Sequence, residues 1–150
     1  MELTSSAFEN EGSIPIKHTC DGQNISPPLR ISAVPSKARS LVLIMDDPDV
    51  PKNIRKDGMF DHWVVFNIPP DTREIPEGQE PEGIPGKGTS GKTGYYGPCP
   101  PDREHRYFFK LYALDTILDI PANSDKRTVE QAMTDRVIDR AFLMGVYERV

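Results

Sequence analysis

Residues 105–115 read HRYFFKLYALD. In an extended chain successive side chains point to opposite faces, so Tyr107, Phe109, Leu111 and Ala113 share one side while Phe108, Lys110, Tyr112 and Leu114 share the other. Both sides are largely apolar, as expected of a strand inside a sheet and covered on each face. Residues 40–49, SLVLIMDDPD, form a continuous apolar run closed by acids and proline, the pattern of a buried strand. Residues 60–70, FDHWVVFNIPP, repeat it with aromatic and β-branched residues and stop at Pro69-Pro70.

Around these runs, fifteen prolines and eleven glycines break the chain into short extended pieces and leave little room for long helices. A helix fits best near the end. Thr128 with Gln131 makes a capping box, and Val129, Ala132, Met133, Val137 and Ala141 follow at helical spacing. AFLMGVYERV, residues 141–150, reads as a closing strand. The expected class is mostly β: antiparallel sheets in a sandwich-like assembly, with one short helical segment near the C-terminus. Residues 78–94, GQEPEGIPGKGTSGKTG, are too poor in apolar side chains to bury themselves and read as a long surface loop.

With 150 residues and no compositional shift, residues 1–150 read as one domain, large enough to bury roughly two-thirds of its unfolded surface. The net charge is −5 and the eighteen Lys and Arg are scattered, which argues against nucleic acid and anionic membrane as partners. No basic leader with an apolar run opens the chain and no stretch reaches transmembrane length, so the expected location is the cytoplasm. Cys20 and Cys99 are too few for a disulfide scaffold and lack zinc spacing; in that compartment they read as reduced thiols. Both lie in turn-rich segments, so they could meet in one loop cluster and bridge if oxidised.

The polar residues gather at strand ends. Asp46, Asp47 and Asp49 close the first run, His62 opens the second, and His105 opens the third with Tyr107 two residues on. If the strands are neighbours, these groups and the loop 94–101 surround one hollow. Its chemistry suits a small oxyanion: imidazole N–H and tyrosine O–H groups donate, and glycines admit close backbone approach. Aspartates in such a hollow make sense as partners that orient the histidine rings and favour imidazolium. Each residue also has a plainer reading. Asp47-Pro48-Asp49 makes a turn, His62 a satisfied half-buried ring, Tyr107 a core aromatic, and Pro98, Pro100 and Pro101 stiffen a loop.

Three segments carry a resemblance: Asp47-Pro-Asp-Val-Pro51; Gly58-Met-Phe-Asp-His-Trp63 running to Asn67-Ile-Pro69; and Gly94-Tyr-Tyr-Gly-Pro-Cys-Pro-Pro101 followed by His105-Arg-Tyr107. In that order and spacing, with HTCDGQNISPPL (18–29) and MGVYER (144–149), they resemble the phosphatidylethanolamine-binding protein family, particularly its short bacterial and archaeal, kinase-inhibitor-like branch. The resemblance implies a large antiparallel sheet packed on a smaller one. It also implies an anion pocket formed by Asp47, Asp49, His62, Pro101, His105 and Tyr107, with Gly94 and Gly97 giving close backbone approach. Its ligands would be phosphate, a phospho-headgroup or acetate-like anions. Some members inhibit kinases or proteases, so a kinase or a protease would be the protein partner; self-association as a homodimer is a separate expectation. No cofactor and no catalysis are implied.

Two departures stand out. Residues 50–57, VPKNIRKD, are a longer and more basic connection than the short branch has, expected to reshape one pocket wall. In DREHRY (102–107), Arg103 and Glu104 place charges near the mouth where a glycine is common. The chain ends soon after VYER, leaving little of the C-terminal extension linked to lipid access in longer relatives. Two enzyme readings compete: a thiol nucleophile, Cys99 activated by His105, and a two-histidine, one-carboxylate metal site of His62, His105 and Asp47.

Overall fold

The computed structural model describes residues 1–149; Val150, the last residue of the expected closing strand, lies outside the described residues. The large sheet is built on β3 (Ser40–Asp47), every residue of which is buried. Its neighbours are β4 (Phe60–Ile68) and β7 (His105–Leu114), flanked by β6 (Ile84–Pro85) and β8 (Val137–Tyr147) in the order β6-β4-β3-β7-β8, all antiparallel. A smaller antiparallel sheet, ordered β1-β2-β5, is made from β1 (Glu2–Thr4), β2 (Leu29–Ser32) and β5 (Glu74–Ile75).

The alternation in the sequence explains how the layers meet. Leu41, Leu43 and Met45 of β3, Trp63 and Val65 of β4, and Tyr107, Phe109 and Leu111 of β7 form one core with Leu3, Leu29, Ile31 and Ile75 of the small sheet. The opposite face carries Val42, Ile44, Val64 and Phe66, covered by Val129 and Met133 of a single helix, α1 (Lys126–Met133). Strand β3, not β7, is the element buried on both faces. Phe108, Lys110 and Tyr112 on the far side of β7 are only half-buried; of the three, Tyr112 packs against the cluster that α1 covers.

Three local expectations are corrected. The helix is capped by Asp125, whose side chain accepts from the Thr128 N–H at 2.9 Å, so Thr128 lies inside the helix and not at its cap. Val137 and Ala141 belong to β8: the helical spacing of apolar residues continues past Met133, but Asp135 adopts a left-handed conformation (φ +65) and turns the chain into a strand. The expected loop 78–94 contributes a two-residue edge strand, with Ile84 and Pro85 paired to Phe66 and Val65. Proline is tolerated there because an edge residue need not donate outward. None of the described helices is long and apolar enough to cross a membrane.

Candidate functional site

Because β3 runs antiparallel to both neighbours, its end at Asp47 lies beside the beginnings of β4 and β7. The sequence placed its polar residues at these three positions, and the fold gathers them around a cavity of about 280 Å³. Asp47, His62, Pro101, His105 and Tyr107 line it, together with Val50, Ile54, Phe60, Tyr96 and Cys99. The polar groups come from strands, which hold them firmly; the apolar part of the wall comes mainly from loops.

His62 reaches the cavity through a bulge. Met45 pairs with Trp63 and Asp46 with Asp61, so His62 is the extra residue of β4. A bulge re-aims side chains. Here it lets the adjacent His62 and Trp63 both serve the side that holds Tyr107, with the His62 and Tyr107 rings edge-on at 5.3 Å. His62 Nδ1 meets the Tyr96 carbonyl at 2.5 Å, and the Tyr96 N–H returns to the His62 carbonyl at 3.1 Å. A carbonyl only accepts, so Nδ1 carries the proton and Nε2 makes no hydrogen bond to a described residue. Burial depresses the His62 pKa to about 4. His62 is therefore neutral near pH 7, which corrects the expectation of a standing imidazolium: the Asp46 charge favours protonation, but desolvation outweighs it.

Tyr107 is fully buried, and its hydroxyl has no hydrogen-bond partner among the described residues. Burial, and after it the charge of Asp47, raises its pKa, so it remains a phenol and a donor. A buried hydroxyl without a partner costs about 1–3 kcal/mol.

His105, also fully buried, is held at both ends. Its Nδ1 lies 2.7 Å from Asp47 Oδ2 and its Nε2 2.7 Å from Asp102 Oδ1. Asp47 is buried, and desolvation pushes its carboxyl above the ordinary range against the pull of His105; its Oδ1 accepts from the Asp49 N–H at 2.8 Å. Asp102 is 39% exposed, and its bond to His105 holds it below that range. Asp102 went unnoticed in the sequence reading. The available signal was a carboxylate three residues before a histidine in a proline-rich bend.

Three expected residues do not line the cavity. Asp49 accepts from Arg106 Nε and Nη2 at 2.9 and 2.8 Å and from the Arg106 N–H at 2.9 Å, so it ties the end of β3 to the start of β7 and orients no histidine. Gly97 allows two loops to touch: a Cβ there would lie 2.1 Å from Asn24 Oδ1 and 2.6 Å from the His18 carbonyl. Gly94 supplies a left-handed turn (φ +90) beside Glu80. The connection 50–57 does shape a wall. The Val50 N–H bonds the Gly58 carbonyl at 3.2 Å, closing a loop that lays Val50 and Ile54 against the cavity. Arg103 turns to Asp102, with Nε 3.6 Å from Oδ2.

Cys20 and Cys99 are joined in a disulfide, which corrects the reduced-thiol expectation. The segments carrying them pack together, with the Cys20 N–H on the Pro98 carbonyl at 3.1 Å and the Tyr95 hydroxyl on the His18 carbonyl at 2.7 Å. Cys99 thus has no thiol to serve as nucleophile. Among the described residues no three His, Cys, Asp or Glu side chains are arranged to hold a metal, so the set His62, His105 and Asp47 is not assembled as one.

The family model for phosphatidylethanolamine-binding proteins matches residues 4–148. This chain belongs to the phosphatidylethanolamine-binding protein family. A UPF0098 protein of Methanothermobacter thermautotrophicus is 48% identical, over 99% of both chains. A phosphatidylethanolamine-binding protein homologue of Chlamydia trachomatis, CT736, superposes with a TM-score of 0.97 at 46% identity, covering 99% of this chain and 97% of that one. YbcL of Escherichia coli, described as a member of the mammalian phosphatidylethanolamine-binding protein family, gives 0.88 at 30% identity, covering 99% and 98%. The chain thus falls in the family's short prokaryotic branch, and family membership makes it a ligand-binding protein of this fold.

Proposed function

We propose that this chain binds a small oxyanion, inorganic phosphate or a phosphomonoester headgroup, in the β3-β4-β7 cavity, and that it is a binding protein and not a catalyst. The observation that carries this reading is the Tyr107 hydroxyl, buried in the cavity wall without a partner among the described residues. An oxyanion would accept its hydrogen bond and remove the cost of leaving it unpaired. His62 Nε2 offers the complementary group: a lone pair for the P–O–H of a singly protonated phosphate, or, after proton uptake, a donor to the dianion. The apolar wall of Val50, Ile54 and Phe60 suits the carbon skeleton of an ester. A partner protein, including the kinases or proteases suggested by resemblance, would be recognised here through a phosphorylated side chain.

Cytoplasmic residence belongs to the same proposal only where that compartment keeps the Cys20–Cys99 bridge, as in some thermophiles; an oxidising compartment keeps it as a rule. Thiol trapping on separated cell fractions shows which compartment holds the protein and whether the bridge is formed there.

The direct test is a titration with inorganic phosphate and with phosphoethanolamine, followed by the ring signals of His62. Saturable shifts are expected in the wild type, with weaker affinity in His62→Ala. Unchanged affinity in that variant would remove His62 from the site.

A further inference from the structure

Two protons are needed to make the two contacts of His105, one for each nitrogen–oxygen pair. However those protons divide between ring and carboxylates, the trio of Asp47, His105 and Asp102 carries one net negative charge, and its hydrogen bonds are closed on themselves. Asp49 is paired with Arg106 and so adds little net charge, and His62 is neutral. An oxyanion approaching this assembly meets no free N–H of His105 and a repulsive charge. Yet Asp102 is the one member on the surface: its side chain is 39% exposed and the ring it touches is fully buried. It sits in the bend ahead of β7, with the Arg103 guanidinium beside it.

Resting on the anion-binding reading above, we propose that the Asp102 carboxylate is a resident occupant of the anion seat on His105 Nε2, and that a ligand enters by exchanging with it. One oxyanion replaces another at the same nitrogen. When Asp102 swings outward, Asp47 and His105 are left with two protons and no net charge, and Nε2–H becomes a free donor on a ring that lines the cavity, its centroid 6.4 Å from that of Tyr107. The released carboxylate gains solvent and keeps Arg103 as its partner. Residue 102 therefore sets affinity and selectivity: the ligand must outcompete a tethered carboxylate, which favours phosphate oxygens over weaker acceptors and penalises simple carboxylates. The affinity measured in the native protein is the intrinsic one reduced by the fraction of molecules with the seat open.

The experiment compares inorganic phosphate and acetate binding in the wild type, Asp102→Ala, Asp102→Asn and Tyr107→Phe, using the ring nitrogens of His105 and His62 as separate reporters. Exchange predicts phosphate affinity raised about ten-fold or more in Asp102→Ala, a smaller gain in Asp102→Asn, whose amide can still bond the ring, and acetate binding to His105 in Asp102→Ala only. If the wild type binds phosphate with loss in Tyr107→Phe, but both Asp102 variants bind equally well or more weakly, the site stands and the exchange is overturned, leaving Asp102 as a support for His105. If phosphate shifts neither ring in any of the four proteins, the anion-binding reading itself fails and takes the exchange with it.

Discussion

Tyr107 carries a buried hydroxyl with no described partner and His62 a pKa lowered by burial, which makes their roles separable by measurement. Phenylalanine at 107 keeps the ring that packs in the core and removes a hydroxyl that bonds to nothing described. Tyr107→Phe should therefore leave folding stability unchanged or raise it by about 1 kcal/mol. It should weaken phosphate binding by about 1.5–3 kcal/mol, the worth of a hydrogen bond to a charged partner. Denaturant unfolding and phosphate titration on one preparation check both signs; a destabilised variant would mean the hydroxyl is satisfied in solution. His62 gives a pH dependence. Its pKa falls from an ordinary 6.5 in the unfolded chain to about 4 in the fold, so between those values the unfolded chain binds the extra proton. Its contribution to stability is thus present above pH 6.5 and lost as pH falls toward 4, amounting to about 3 kcal/mol at most. His62→Gln should flatten that part of the profile. Phosphate should flatten it too, because a bound anion raises the folded-state pKa; equal slopes with and without phosphate would place the anion away from His62.

At the level of elements, the long strands were legible because their alternation is regular and their ends are marked by acids, prolines or histidines. Ser40–Asp47, Phe60–Ile68 and His105–Leu114 correspond closely to the three runs read from sequence. The pairs β5 and β6 were not legible, since two residues carry no period; the partner strand, not local preference, makes them extended. The end of α1 was hidden because Val137 and Ala141 continue a helical spacing by coincidence. Within the site, the strand-end polar residues could be read. What could not be read was which nitrogen meets which carboxylate, because these contacts depend on a bulge at His62 and a bend at Asp102. The loop from Val50 to Gly58 was legible as a departure that reshapes a cavity wall; which of its side chains does so was not. Ile54, 58% exposed, sits on its cavity side. Ile54→Ser should change stability by less than about 0.5 kcal/mol, as surface substitutions do. It should weaken a phosphomonoester with an apolar arm while leaving inorganic phosphate unaffected. Parallel titrations decide: equal losses for both ligands would show that the loop acts on the polar floor and not on the arm.

On the scale of the whole molecule, the Cys20–Cys99 bridge joins positions 79 residues apart, and Cys99 lines the cavity. Two effects of breaking it can be distinguished. Cross-linking so long a loop restricts the unfolded chain, a contribution of about 4–5 kcal/mol in the chain-entropy account. For a chain of this size that corresponds to a fall in Tm of about 10–20 °C. The folded state, by contrast, keeps other ties between the same two segments. The Tyr95 hydroxyl bonds the His18 carbonyl, the Gly97 N–H bonds Asn24 Oδ1 at 3.0 Å, and the Cys20 N–H bonds the Pro98 carbonyl. The Tyr96 carbonyl that fixes the His62 tautomer lies within this tied loop. The double variant Cys20→Ala, Cys99→Ala should accordingly lose most of that thermal stability yet bind phosphate at 25 °C within about three-fold of the wild type, since three hydrogen bonds of about 1 kcal/mol each still hold the wall. Thermal melts and phosphate titrations of the variant, with reduced wild type alongside, test the division. A large loss of affinity at temperatures where the variant is fully folded would show that the bridge holds the cavity wall directly, and that the redox state of its surroundings sets its ligand affinity as well as its lifetime.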